Sequence, residues 1–342
     1  MNIADKLKNY LQNKTQKEHK ILNLESLSGG ACQENYLVDL EIVNNSFTET
    51  QQLVLRTDKG GSLFSSLSRA EEFMVCELAY NHGVKTPKPI LLETNSSIIG
   101  NPFYLMEKIS GKANGRYIVK SPELAKIRKQ LPKILAYELS KIHSIQPKEL
   151  KDERLQQKLL GNTNLEKKNV AESAIKNVKI QIEKLPEPHP AMELIINWLE
   201  ANQPETDEIV LVHGDFRTGN FMVTPEELTG IIDWEFAHFG DRHEDIAWLC
   251  VRDWRFGKLK LEAGGFATRQ EFYEEYKKYF PQLDEKKVLF WEVMGNLRWA
   301  IGSVEQAERH ILGLDRGIEL ASIGRRTCEM EWEAMRLVEN AR

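Results

Sequence analysis

An aspartate and an asparagine five residues apart, Asp215 and Asn220, stand in the run HGDFRTGN at 213–220, and a second aspartate, Asp233, follows an apolar pair in IIDWE at 231–235. A carboxylate and an amide oxygen that converge on one point make a hard, oxygen-rich pocket of the kind Mg²⁺ prefers, completed by water and substrate phosphates. A further carboxylate on the same loop can orient a hydroxyl nucleophile and take its proton. Asn220 and Asp233 suit the first role, and Asp215 the second.

Thirteen residues separate Asn220 from Asp233, so a turn has to bring them together. FMV (221–223) and IID (231–233) predict two short strands, and the intervening TPEELTG holds a Pro and a Gly that favour a turn. In an antiparallel hairpin the start of the first strand faces the end of the second. Upstream, ENYLVDLEIV (34–43) and QQLVLRTD (51–58) predict a hairpin across the polar NNSFTET. SRAEEFMVCELAYNHG (68–83) has helical spacing and a terminal Gly, and KTPKPILLET and PFYLMEKISG follow as strands before a hinge at Gly111. From about residue 121 the pattern is helical, with Pro132 marking a kink or a second start. Residues 150–185 read as exposed Lys-rich helix, and 191–202 (AMELIINWLEAN) as an amphipathic helix. Phe290, Val293, Met294, Leu297, Ile301, Val304 and Ile311 predict one buried stripe. The outline is α+β: a small β-rich lobe, 1–108, then a larger, mainly helical lobe, 109–342, that carries the β island.

With 41% apolar and 28% charged residues, the 342-residue chain reads as a soluble globular protein. A net charge of −5 and the lack of any dense Lys/Arg run argue against a nucleic-acid partner. The four cysteines (Cys32, Cys76, Cys250, Cys328) are far apart and show no CxxC spacing, which suits a reducing cytoplasm. No stretch is long and apolar enough to predict a membrane partner, and the polar, Lys-rich beginning predicts no signal peptide.

With Asp233 beyond it, the run matches H-x-D-x-x-x-x-N followed by a metal-binding Asp, the order of base and metal ligands in kinase catalytic loops. HGDFRTGN together with IIDWEFAHFGDRHEDIAW resembles the aminoglycoside phosphotransferase and choline kinase group of protein-kinase-like enzymes, and the likeness extends over most of the chain. The resemblance implies a two-lobed protein-kinase-like fold with a β-hairpin catalytic island, and an enzyme using ATP and Mg²⁺ on a small-molecule hydroxyl acceptor. It implies that Asp215 is the catalytic Asp, that Asn220 and Asp233 hold Mg²⁺, that His213 braces the loop and that Asp245 is the loop's structural partner. On the nucleotide side, LSGGACQENYLV places Gly29 and Gly30 between strands, where backbone could approach a phosphate closely. The group's phosphate-binding cation falls on Arg56 of LVLR, where a Lys is usual, and its helix acid on Glu72 of RAEEF, with Glu71 one position away. A guanidinium can pair bidentately with phosphate, but its geometry differs from lysine's point charge. FYLMEKISG resembles the hinge strand; backbone near Glu107 and Ile109 would meet the adenine edge, with Met106 and Leu105 packed beneath.

Between residues 297 and 342 there are seven Arg and no Lys, and Arg298 and Arg309, eleven residues apart, share a helix face beside the apolar stripe. Bidentate recognition of carboxylate or phosphate favours that usage, and so do ion pairs with Glu305, Glu308, Glu319 and Glu329. Arginines beside the site lean toward an anionic acceptor rather than a cationic aminoglycoside or choline. The tail GNLRWAIGSVEQAERHILG is similar to the branch related to acyl-CoA dehydrogenase-linked kinase domains, which implies phosphorylation of a hydroxyacyl chain, as a hydroxy acid or its CoA thioester. Two other readings remain: a metal-dependent hydrolase built on His213, Asp215, His238, Asp241, His243 and Asp245, and a nucleotide-binding pseudokinase suggested by Arg56.

Overall fold

The computed structural model describes residues 2–27, 33–44, 47–58, 66–314 and 317–341. The chain divides into two units, Met1–Gly111 with Thr229–Ala237, and Lys112–Leu228 with His238–Arg342.

The first unit opens with α1 (Ile3–Thr15) and continues through β1 (Glu18–Leu27), β2 (Gln33–Asn44), β3 (Phe47–Asp58), α2 (Arg69–Asn81), β4 (Pro89–Glu93) and β5 (Phe103–Glu107). Its sheet runs in the order β1-β2-β3-β5-β4 with antiparallel neighbours. β1 was not foreseen, because its mostly exposed positions carry no apolar alternation. β3 begins at Phe47, inside the stretch expected to be loop. Alternation along β3 and β5 sorts the side chains: Leu53, Leu55, Phe103 and Leu105 join Leu7 and Leu11 of α1 in one core. Arg56 and Tyr104, paired in the ladder, take the other face, where Tyr104 meets Phe73 of α2 edge-on at 5.8 Å. α2 starts at the expected place because Ser68 and Glu71 form a capping box.

The second unit carries α3 (Gly115–Lys120), α4 (Ala125–Arg128), α5 (Leu131–Ile142), α6 (Glu153–Leu160), α7 (Val170–Ile182) and α8 (Pro190–Ala201) before the β island. Pro132 sits in the first turn of α5, so it marks a fresh start and not a kink. The island comprises β6 (Ile209–Val212), β7 (Phe221–Val223), β8 (Leu228–Ile231) and β9 (His238–Asp241), with β6 paired to β9 and β7 to β8. The turn after β7 is closed by the Thr224 amide donating to the Glu227 carbonyl at 2.9 Å. The second strand of this hairpin ends at Ile231, so Asp233 lies beyond it, on backbone with φ +74°. The remaining helices are α9 (His243–Cys250), α10 (Arg269–Lys277), α11 (Glu285–Ile311), α12 (Ile318–Gly324) and α13 (Arg326–Asn340). The α11 stripe is buried from Phe290 to Ile301, but Ile311 is 79% exposed, because the last turns of this 27-residue helix carry their stripe out into solvent. No helix among the described residues is long and apolar enough to cross a membrane.

Candidate active site

In the first unit, β3 delivers Arg56 to the start of α2. Its Nε donates to Glu72 Oε2 at 3.0 Å, and its Nη2 lies 2.9 Å from Glu72 Oε1, a two-point fork. The same guanidinium also pairs with Asp233. Burial opposes the charge on Arg56, yet Glu72 and Asp233 hold its pKa well above the ordinary value. A second arginine, Arg69, is buried one turn before Glu72 and pairs with it. Arg69 reaches Asp58 at 3.0 Å and Glu235 at 3.8 Å as well, and donates to the Leu67 carbonyl at 3.2 Å. Burial and the neighbouring Asp233 push the Glu235 carboxyl up to about 8, against the pull of both arginines. Between the two acids, Trp234 is anchored by its Nε1 donating to Thr86 Oγ1 at 3.0 Å. Asp233 itself is a non-glycine in the left-handed region, a costly conformation that clusters at ligand-handling sites.

The other nucleotide-side residues are placed unequally. Gly29 and Gly30 lie outside the described residues. The Glu107 amide is taken by the Lys88 carbonyl at 2.9 Å, whereas among the described residues no backbone bond takes up the amide of Ile109. Leu105 is in the core with α1, so strand alternation lets Met106, and not Leu105, line the opposite face.

In the second unit, β6 is buried along its length and leads straight into the loop. Asp245, fully buried on α9, takes the His213 amide at 2.8 Å on Oδ2 and the Gly214 amide at 3.0 Å on Oδ1. His143, at the C-terminal cap of α5, completes this brace, with Nε2 3.1 Å from Asp245 Oδ2 and Nδ1 2.7 Å from the Tyr276 hydroxyl. Burial lowers the His143 pKa despite Asp245, and because a carboxylate only accepts, Nε2 is the donor to Asp245. The His213 ring is turned inward, its Nδ1 accepting the Asp215 amide at 3.2 Å.

The loop then presents Asp215. Its Oδ1 accepts Arg217 Nε at 2.9 Å and Trp248 Nε1 at 2.7 Å, while its Oδ2 accepts Asn220 Nδ2 at 2.6 Å. Asn220 Nδ2 also donates to the Asp215 carbonyl at 3.0 Å. With its nitrogen committed twice, the amide oxygen is the atom a hard cation would use. Gly219 is required here: with φ +118°, a methyl at this position would stand 2.5 Å from Arg217 Nη1. Asn220 in the second unit offers an amide oxygen and Asp233 in the first a carboxylate oxygen, each a ligand type that suits Mg²⁺. Among the described residues, no group of three or more His, Cys, Asp or Glu is arranged to hold a metal by itself.

The residues of the hydrolase reading do not form one cluster. His243 is paired with Asp241 at 2.5 Å and His238 with Glu244 at 3.2 Å, while Asp245 serves the loop amides. Arg298 pairs with Glu244 at 3.0 Å, and Arg309 donates to Gln306 at 3.1 Å. Sequence reasoning missed Arg69, His143, Arg217 and Trp248. Arg217 was visible inside HGDFRTGN and Arg69 three residues before Glu72, but His143 and Trp248 reach their partners from other elements and carry no local signal.

Residues 23–280 match the model of the phosphotransferase enzyme family. Mouse acyl-CoA dehydrogenase family member 10 is 33% identical over 242 residues, covering 66% of this chain but 21% of that protein. This chain therefore spans about a fifth of that relative's length. A candidate aminoglycoside phosphotransferase structure from Ralstonia eutropha superposes with a TM-score of 0.71 at 19% identity, covering 98% of each chain. The choline kinase LicA from Streptococcus pneumoniae, in complex with AMP, gives 0.57 at 19% identity, over 98% of this chain and 99% of its own. These likenesses show the protein-kinase-like fold.

Proposed function

The chain belongs to the phosphotransferase enzyme family, and we propose that it moves the γ-phosphoryl group of ATP, as the Mg²⁺ complex, onto a hydroxyl of a small molecule. The observation that carries the reading is Asp215, held by donors on both carboxylate oxygens and presented by a loop whose first two amides are fixed to buried Asp245. In that position Asp215 accepts the proton of the acceptor hydroxyl as the oxygen attacks. Asn220 and Asp233 would hold the metal, which supplies charge neutralisation on the β- and γ-phosphates. Arg56, steered by Glu72, would meet the nontransferred phosphates, a role in which the sequence also casts Gly29 and Gly30. The Glu107 carbonyl and Ile109 amide would take the adenine edge, and the AMP bound by LicA supports an adenine nucleotide. Most of the rate then comes from positioning and electrostatics.

For the acceptor, the proposal is a hydroxyacyl chain, as the hydroxy acid or its CoA thioester. Its support is the likeness to acyl-CoA dehydrogenase family chains. Arg298 and Arg309 add little, because the structure engages them with Glu244 and Gln306. A cytoplasmic setting fits the free thiols of Cys76, Cys250 and Cys328. The second reading, a pseudokinase, is favoured by one feature, the Arg56–Asp233 pair that a metal has to displace.

The test is a mass-spectrometric screen for phosphoryl addition with Mg·ATP and pooled hydroxyacyl-CoAs, hydroxy acids, choline, sugars and aminoglycosides. Addition to one class identifies both reaction and acceptor. ATP binding with silence across every pool supports the pseudokinase.

A further inference from the structure

Besides Arg217 and Asn220 of its own loop, Asp215 is held by an indole on another element, Trp248 of α9, which shares Oδ1 with Arg217. Three features seat that ring. Trp248 lies one helical turn after Asp245, so a single helix face carries the brace for the loop backbone and the donor to its carboxylate. Trp254 packs against it with ring centroids 5.8 Å apart. On α11, a methyl at Gly295 would come within 3.2 Å of Trp248 Cε3 and 3.1 Å of Val251 Cγ2. Glycine inside a long helix is unfavourable relative to alanine. Gly295 is therefore a position with a packing reason, and the Trp248 ring and the Val251 side chain supply it together.

We infer that Trp248 is a positioning residue for phosphoryl transfer: its N–H fixes the rotation of the Asp215 carboxylate, and the space left by Gly295 lets the ring reach it. The inference rests on Asp215 being the base of the proposed reaction. α9 thereby sets two coordinates of one residue, the place of its backbone through Asp245 and the turn of its side chain through Trp248. Arg217, on the same loop, is itself seated over the Trp254 ring at 4.4 Å, so the indole N–H of Trp248 is the donor to Asp215 that comes from α9.

The experiment compares Trp248→Phe, Trp248→His, Asp215→Asn and Gly295→Ala with the wild type. It measures ADP release from Mg·ATP with the acceptor pool above, and the indole N–H resonances of ¹⁵N-labelled protein. One hydrogen bond to a charged acceptor corresponds to a loss of about ten- to a hundred-fold in kcat for Trp248→Phe, with KM for ATP within about twofold. Trp248→His, which keeps an N–H, recovers part of that loss. The indole resonance absent from Trp248→Phe shifts in Asp215→Asn. Gly295→Ala keeps the N–H but crowds the ring, and lowers kcat several-fold without lowering Tm. Wild-type kcat in Trp248→Phe overturns the inference, as does a Trp248 resonance indifferent to Asp215→Asn. Should Trp248→Phe not fold, Gly295→Ala and the resonance decide the question. Full activity in Asp215→Asn, or no transfer in the wild type, removes the functional reading itself and is told apart from the first two outcomes.

Discussion

Asp215 and Asp233 each meet an arginine, but they are held by different means. Asp215 sits on a loop whose amides are bonded to a buried carboxylate, and neutral donors from Asn220 and Trp248 share the work with Arg217. Asp233 is tied to the guanidinium of Arg56, follows a strand end, and leaves 24% of its side chain exposed. An ion pair with an accessible carboxylate is a partnership that another cation can take over, whereas the backbone bonds to Asp245 have no such competitor. The comparison teaches that the second unit fixes geometry while the first unit trades charge. Glu72 holds Arg56 through a two-point fork that does not involve Asp233.

The largest effect expected is from Asp215→Asn, which removes a proton acceptor while keeping the shape. Transfer should fall about a hundred- to ten-thousand-fold, with calorimetric ATP affinity nearly unchanged. A large loss of ATP affinity would break the division of labour, because the loop would then be holding the nucleotide too. Asp233→Ala should instead weaken Mg·ATP binding itself, by about ten- to a hundred-fold, the range seen when groups around a metal are lost. An unchanged Mg²⁺ requirement in that variant would count against the metal role. Arg56→Lys sharpens the comparison on a smaller scale. Lysine cannot fork onto Glu72 and reach Asp233 at once, so Asp233 is released and half-saturation by Mg²⁺ should come at a several-fold lower concentration. A higher Mg²⁺ requirement would show that Arg56 organises Asp233 for the metal and does not compete with it.

Much of this was legible where the signal is local. HGDFRTGN, the Ser68–Glu71 cap and the alternation in LVLR are read within a few residues, and each dictates its own backbone. The second island strand was misplaced toward Asp233 because periodicity does not report a left-handed residue two positions beyond a strand end. Strand alternation could have separated Leu105 from Met106. The partners of Asp215 and Glu72 outside their own segments were not legible. Trp248 is thirty-three residues from Asp215, and no spacing rule connects a helix residue to a loop carboxylate. Arg69, three residues before Glu72, was visible as a neighbour, but its burial among three acids was not, since a lone Arg in the first turn of a helix more often faces water.

A third arginine–carboxylate pair sets the lower end of the scale. Arg298 meets Glu244 at 3.0 Å, and unlike Asp233 this acid is almost wholly buried and has three partners. Burial pushes the Glu244 carboxyl up, but His238, Arg298 and the Asp241 amide win and hold it down to about 2. A depressed carboxylate contributes stability that is present above its unfolded pKa, about 4.5, and is lost as pH falls toward its folded value. Arg298→Ala should lower stability at neutral pH by under about 1 kcal/mol, since the arginine is partly exposed and screened. The difference in Tm between variant and wild type should then narrow as pH falls from about 4.5 through about 2, as Glu244 becomes protonated in both proteins. A gap that stays constant across that window would mean that Arg298 stabilises α11 by packing on Trp291 and not through Glu244. Under the proposed metal role of Asp233, Mg²⁺ should leave this gap untouched while altering the behaviour of Arg56 variants.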